Sequence, residues 1–133
     1  MKIAFIGLGR MGWHMAGHLA NQGHSLCVFD ANEQISKKWT QTFAGELAPT
    51  LTAVITNAEV VLSALPADVQ LRLVWDHCFE QLSPGSIWVD HSTTSAQIAR
   101  ELNTAGQQQE VAVIDAPVSG GTVGAENGTL TIM

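Results

Sequence analysis

Gly7-Leu8-Gly9-Arg10-Met11-Gly12 sets three glycines at the spacing G-x-G-x-x-G. Between a strand and a helix, each glycine of that pattern has its own task. The first permits a tight turn, the second lets backbone approach a pyrophosphate, and the third lets the helix sit close on the strand. The helix N-terminus then offers unpaired N–H groups and a positive dipole end to phosphate oxygens. The spacing alone is a weak signal in a chain with 12 glycines among 133 residues. Asp30, 18 residues beyond Gly12, strengthens it. An acid at the end of the second strand accepts hydrogen bonds from adenine-ribose hydroxyls. Alone, Asp30 also reads as a solvated turn aspartate. Strand, glycine turn, helix, strand and acid together point to a bound dinucleotide.

The elements that must position these residues follow from the hydrophobic pattern. Lys2 to Ile6 is a short apolar run ending in glycine, as in a strand buried on both faces. Met11 to Gln22 carries apolar residues at helical spacing and stops at Gly23. Ser25 to Phe29 predicts a second strand and Ala31 to Phe43 a helix broken by Gly45. Ala48-Pro49 is at best a very short edge strand, and Thr52 to Asn57 a short helix. Glu59 to Leu65 predicts a strand stopped by Pro66. Asp68 to Leu82 predicts a helix with a wide stripe of Leu71, Val74, Trp75, Cys78, Phe79 and Leu82. Ser86 to Asp90 is a strand, Ser95 to Thr104 a helix stopped by Gly106, Gln107 to Gln109 a loop, and Val111 to Ala116 a strand. Thr131-Ile132-Met133 looks like part of one more strand. Strands alternating with helices predict an α/β fold, a doubly wound, mostly parallel Rossmann-type sheet with helices on both faces. A flavodoxin-like strand order fits the same pattern.

Composition bounds the function. The length fits one domain, residues 1–133. Hydrophobic residues at 46% and charged residues at 14% exclude intrinsic disorder. A net charge of −6 with pI near 5.1 gives no footprint for nucleic acid. No apolar run approaches a membrane span, and the short run after Met1-Lys2 is interrupted by Gly7, Gly9 and Arg10. Cys27 and Cys78 lie far apart without a CxxC, which suits two free thiols and a cytoplasmic setting.

Four segments resemble the β-hydroxyacid dehydrogenases, the family of 3-hydroxyisobutyrate dehydrogenase and tartronate semialdehyde reductase. They are Phe5 to Gly12 with Met15-Ala16; Leu65-Pro66; Asp90-His91-Ser92-Thr93; and Asp115-Ala116-Pro117-Val118-Ser119-Gly120-Gly121 with Gly124-Ala125 and Gly128-Thr129-Leu130. They occur in family order across nearly the whole chain. The resemblance implies that Gly7, Leu8, Gly9, Arg10, Met11, Gly12 and Asp30 bind NAD. Leu65 and Pro66 would line the nicotinamide–ribose side, and Thr93 would contact the cofactor. Ser119, Gly120 and Gly121 would hold a substrate carboxylate, a role that fits the anion nests consecutive N–H groups form in glycine turns. The activity implied is NAD-dependent interconversion of a small 3-hydroxy acid and its semialdehyde. A related imine reductase or phosphogluconate-type dehydrogenase is the alternative, or a nucleotide-binding module without catalysis. The family's catalytic lysine and its helical second domain would lie beyond Met133, so no catalytic residue is expected among these 133. The resemblance therefore implies the cofactor domain of a longer enzyme, inactive alone, with homo-oligomerisation through the second domain. Two departures stand out: Ala96 where the family has a proline nearby, and His18 where it usually has Asn.

Other residues weigh less. His14 and His18 are i,i+4 on a helix, but no Glu lies between them and no third ligand is evident, so no metal is expected. Trp13, Trp39, Trp75 and Trp88 form no stacking platform with basic residues. Trp88 reads as buried, and Trp13 and Trp75 as surface for a second domain to cover. His91, beside Asp90 at a strand end, is the one titratable substitute for the absent lysine. Lys2, Lys37 and Lys38 all lie away from the nicotinamide end.

Overall fold

The computed structural model describes residues 1–133. Strands β1 (Lys2–Ile6), β2 (Ser25–Phe29), β3 (Glu46–Leu47), β4 (Val60–Ser63), β5 (Ile87–Asp90) and β6 (Ala112–Asp115) form one sheet. Its order is β3-β2-β1-β4-β5-β6, and every neighbouring pair is parallel. This is the doubly wound Rossmann order rather than the flavodoxin-like one. The order reverses between β1 and β4, which opens a crevice at the carboxyl ends of those strands. Helices α1 (Gly12–Asn21), α2 (Glu33–Thr42), α3 (Leu51–Ile55), α4 (Asp68–Cys78) and α5 (Ala96–Gln108) connect the strands. A small antiparallel ladder, β7 (Val118–Ser119) with β8 (Thr131–Ile132), brackets the short helix α6 (Gly121–Asn127).

Alternation along β1 divides the core. Ala4 and Ile6 face a cluster with Trp75, Cys78, Trp88, Ile98 and Leu102, while Ile3 and Phe5 face one with Ala16, Leu26, Val28 and Trp39. Two-sided burial is what makes the parallel strands read as continuous apolar runs. Trp88 is fully buried, and the indole of Trp75 packs edge-on against it with centroids 5.1 Å apart. Trp75 is therefore a core residue, not surface awaiting a second domain. Its place on the stripe of Leu71 and Cys78 turns it onto the sheet. Trp13 is half-buried and meets Phe43 edge-on at 6.1 Å.

Several boundaries differ from the pattern. The helix expected to stop at Gly106 runs on to Gln108, so most of the expected Gln107–Gln109 loop is helical. Gly106 serves packing instead. A Cβ there would lie 2.6 Å from the carbonyl oxygen of Val111 and from a Val113 methyl. The short edge strand is Glu46–Leu47, not Ala48-Pro49, because Cys27 and Val28 of β2 find their partners there. Asp68 at the start of α4 accepts the Ser95 N–H (2.9 Å) and Oγ–H (2.6 Å), which ties α4 to α5 and holds its carboxyl below the usual range. No helix is long and apolar enough to cross a membrane.

Candidate functional site

The glycine turn joins β1 to α1 at the carboxyl edge of the sheet. Gly7 has φ +98°, and a Cβ there would sit 2.2 Å from the Ala64 carbonyl oxygen. A Cβ on Gly12 would sit 1.9 Å from the Gly7 carbonyl oxygen. These two glycines are required by the protein's own packing. Gly9 is different: its φ is ordinary, and an added Cβ would meet nothing within 4 Å. Space over Gly9 is open to something outside the chain.

The first turn of α1 is open as well. α2, α3 and α5 are capped by the side chains of Asn32, Thr50 and Ser95. α1 has no side-chain cap, and the main-chain N–H groups of Gly9, Arg10, Met11 and Gly12 find no acceptor within the chain. Uncapped donors at a helix N-terminus form a ready anion site.

Asp30 closes the turn from the side. Its carboxylate accepts the Leu8 N–H at 2.8 Å and the Asn32 N–H at 2.9 Å. The acid at the end of β2 thus anchors the glycine turn and retains lone pairs for a further donor. Leu8 contributes only that N–H, since its side chain is buried in the core and does not face the cavity.

These residues line one cavity of about 840 Å³. It runs from Gly9, Arg10 and Asp30 past Leu65 and Pro66 to His91, Ser92 and Thr93. Sequence reasoning does not assign Met15, Phe29, Gln70, Leu73 or Val118 to it; these come from helix faces and strand ends that only the tertiary fold brings together. Arg10 is the only Lys or Arg on its wall. At the far end the His91 ring bonds the Ala116 carbonyl at 2.8 Å through Nδ1; a carbonyl only accepts, so Nδ1 is the donor. The His91 N–H donates to the Ser63 carbonyl.

Ser119, Gly120 and Gly121 do not line this cavity. They are exposed just beyond Val118, which does. Gly120 and Gly121 both have left-handed φ, +137° and +64°, and their N–H groups find no acceptor within the chain. Met133, the boundary beyond which the resemblance sets the catalytic lysine, is exposed and takes no part in the cavity. The expected strand at Thr131-Ile132-Met133 is β8, which ends one residue earlier, at Ile132. The Met133 N–H still donates to the Pro117 carbonyl at 2.9 Å and so continues the ladder with β7.

His18 holds this region to α1: its Nε2–H reaches the carbonyls of Ala125 (2.8 Å) and Glu126 (3.0 Å) at the end of α6. The position where the family usually has Asn therefore still links the two helices. His14 and His18 belong to no cluster of three metal-ligating side chains, and no such cluster exists in the structure. Both thiols are poor nucleophiles. Burial pushes Cys78 up to about 12, and burial followed by the nearby Glu46 charge raises Cys27.

A sequence model described as the NAD binding domain of 6-phosphogluconate dehydrogenase matches residues 2–133. The chain belongs to this family of NAD-binding domains. Among curated relatives, the domain is 41% identical to an uncharacterized oxidoreductase of Shewanella frigidimarina, over 99% of this chain and 46% of that protein. It is 37% identical to a probable mitochondrial 3-hydroxyisobutyrate dehydrogenase of Dictyostelium discoideum, over 98% of this chain and 41% of that protein. Among solved structures, the 3-hydroxyisobutyrate dehydrogenase of Mycobacterium tuberculosis with L-serine superposes with a TM-score of 0.95. That match is at 30% identity and covers 99% of this chain and 45% of that one. The NAD-binding domain thus spans under half the length of the relatives it matches, and the resemblance to β-hydroxyacid dehydrogenases holds for that part.

Proposed function

We propose that this domain binds NAD in preference to NADP and serves an oxidoreductase that moves hydride between the nicotinamide and the hydroxyl-bearing carbon of a small 3-hydroxy acid. The observation that carries the reading is the open donor set of Gly9 to Gly12 beside the Asp30 carboxylate. The pyrophosphate would lie over Gly9, against the uncapped N–H groups and Arg10. The adenine-ribose hydroxyls would donate to the lone pairs that Asp30 retains, while a 2′-phosphate would meet its charge. Leu65, Pro66 and Thr93 would border the nicotinamide, and the left-handed Ser119–Gly121 turn would receive the substrate carboxylate. We place the protein in the cytoplasm, with any self-association made by chain outside this domain.

No lysine lines the cavity. Lys2, Lys37 and Lys38 are exposed elsewhere, Lys37 facing Glu33 at 3.7 Å. Proton transfer would therefore depend on a group supplied from beyond Met133, and the 133-residue chain would bind cofactor without turning over substrate. His91 stands nearest in kind: its Nδ1 is held by Ala116, which leaves Nε2 as the ring nitrogen that could exchange a proton. Titration with NADH and NADPH tests the cofactor reading. A charge-assisted hydrogen bond gained and a repulsion avoided correspond to about 10-fold or more in favour of NADH. Equal or tighter NADPH binding would overturn the preference. Robust NADH production by the chain from 3-hydroxyisobutyrate or L-serine, lost in His91→Ala, would overturn the dependence on an outside lysine.

A further inference from the structure

We infer that Asp90 is a positioning residue that sets the wall of the cavity formed by Leu65, Ser92 and Thr93; the inference rests on the NAD reading above. Asp90 is the only Asp or Glu buried in the protein, 3% exposed. No cation pairs with it, since the ion pairs are Lys37–Glu33 and Arg72–Glu101. A carboxylate without a counter-charge stays buried only when hydrogen bonds satisfy it. Here Oδ1 accepts the Ser92 Oγ–H (2.6 Å), the Ser63 Oγ–H (2.7 Å) and the Ser92 N–H (3.2 Å). Oδ2 accepts the Thr94 Oγ1–H at 3.4 Å.

The donors come from two neighbouring strand ends. Ser63 closes β4, and its Oγ in turn accepts the Trp88 Nε1–H at 2.9 Å. Ser92 follows β5, and its Oγ accepts the Leu65 N–H at 2.8 Å. A carboxylate only accepts. It therefore compels both hydroxyls to donate to it and leaves their lone pairs for Trp88 and Leu65. The bonds run in one sense, from Leu65 N–H through Ser92 Oγ–H to Asp90. That relay fixes the main chain at Leu65, just before Pro66, against the Ser92-Thr93 turn. An apolar side chain at position 90 could fill the space but could not orient these hydroxyls.

The experiment compares NAD with ADP by calorimetry on the 133-residue chain and on Asp90→Ala, Asp90→Asn and Ser92→Ala. ADP reports on the glycine-turn end, whereas NAD reports on both ends. We expect Asp90→Ala and Ser92→Ala to weaken NAD about 10-fold while ADP changes by no more than ~2-fold, as when a buried donor loses its acceptor. Asp90→Asn keeps an acceptor oxygen for Ser63 and Ser92 and should recover most of the loss. Ser92→Ala removes one hydroxyl and reads the relay even where Asp90→Ala fails to fold. Equal losses of NAD and ADP in the folded variants, or no loss of either, would overturn the positioning role. A parent chain that binds ADP and NAD equally would also overturn it. Binding of neither nucleotide by the parent would instead overturn the cofactor reading beneath it.

Discussion

At the glycine-turn end of the cavity the surface is main chain: N–H groups of Gly9 to Gly12, left open by an uncapped helix and braced by one acid. At the β4–β5 end it is made by side chains, which a buried carboxylate orients through Ser63 and Ser92. The first end depends on what residues lack, a Cβ at three positions. The second depends on what residues carry, hydroxyls and a carboxylate in a fixed sense of donation. The contrast teaches that one binding surface can be specified by local stereochemistry at one end and by tertiary hydrogen bonding at the other.

The largest effect should come from separating the glycines of the turn. Gly12→Val should unfold or severely destabilise the chain, by more than about 3 kcal/mol, because its Cβ falls on the Gly7 carbonyl. Gly9→Val should leave urea stability within about 0.5 kcal/mol of the parent, since nothing in the protein lies within 4 Å of the added Cβ. The same variant should weaken NAD about 100-fold or more by occupying the pyrophosphate's path. Unaltered NAD binding in Gly9→Val would place the phosphate elsewhere.

Asp30→Ala should act on both fold and ligand, more mildly. It leaves the Leu8 and Asn32 N–H groups without their acceptor, a loss of about 1–3 kcal/mol in stability. It should also reduce any preference for NADH over NADPH toward unity, measured as a ratio of Kd values. A stable variant with the preference intact would assign discrimination to another residue.

Much of the glycine-turn end was legible in the sequence because its parts lie along β1, α1 and β2 in chain order. Their spacing, read together with the strand before them, the helix after them and the second strand, carries Gly7, Gly9, Gly12 and the acid 18 residues on. The bond from Leu8 N–H to Asp30 was not legible, nor was the relay from Leu65 through Ser92 to Asp90. The first contact crosses 22 residues and needs β2 beside β1; the second crosses 27 and needs β4 beside β5. Gly106 differs for a related reason: a glycine near a helix end reads as a stop, while here close approach to Val111 and Val113 demands it in the last turn of α5, which runs on to Gln108. Trp75 read as surface because periodicity gives a face but not what covers it. Ser119 to Gly121 were legible as a turn, yet only the structure shows them outside the main cavity.

The smallest effect concerns the thiols, which lie away from both ends. At pH 8 a thiol with a pKa of about 12 is thiolate to roughly one part in ten thousand. Cys78 should therefore resist iodoacetamide in the native chain and react on unfolding in urea, with Cys27 slowed in the same direction by its burial. Fast native labelling of Cys78 would show that α4 opens locally.

The most direct test of the account is to map NAD onto the chain by amide chemical shifts. Saturable shifts are expected at Gly9, Arg10, Met11 and Gly12, at Asp30 and Ala31, and at Leu65 and Ser92-Thr93, with the amides of α5 and β6 unmoved. With ADP, the shifts at Leu65 and Ser92-Thr93 should disappear while those of the glycine turn remain. Shifts confined to one end with NAD, or the same pattern with both ligands, would contradict a dinucleotide lying along the cavity.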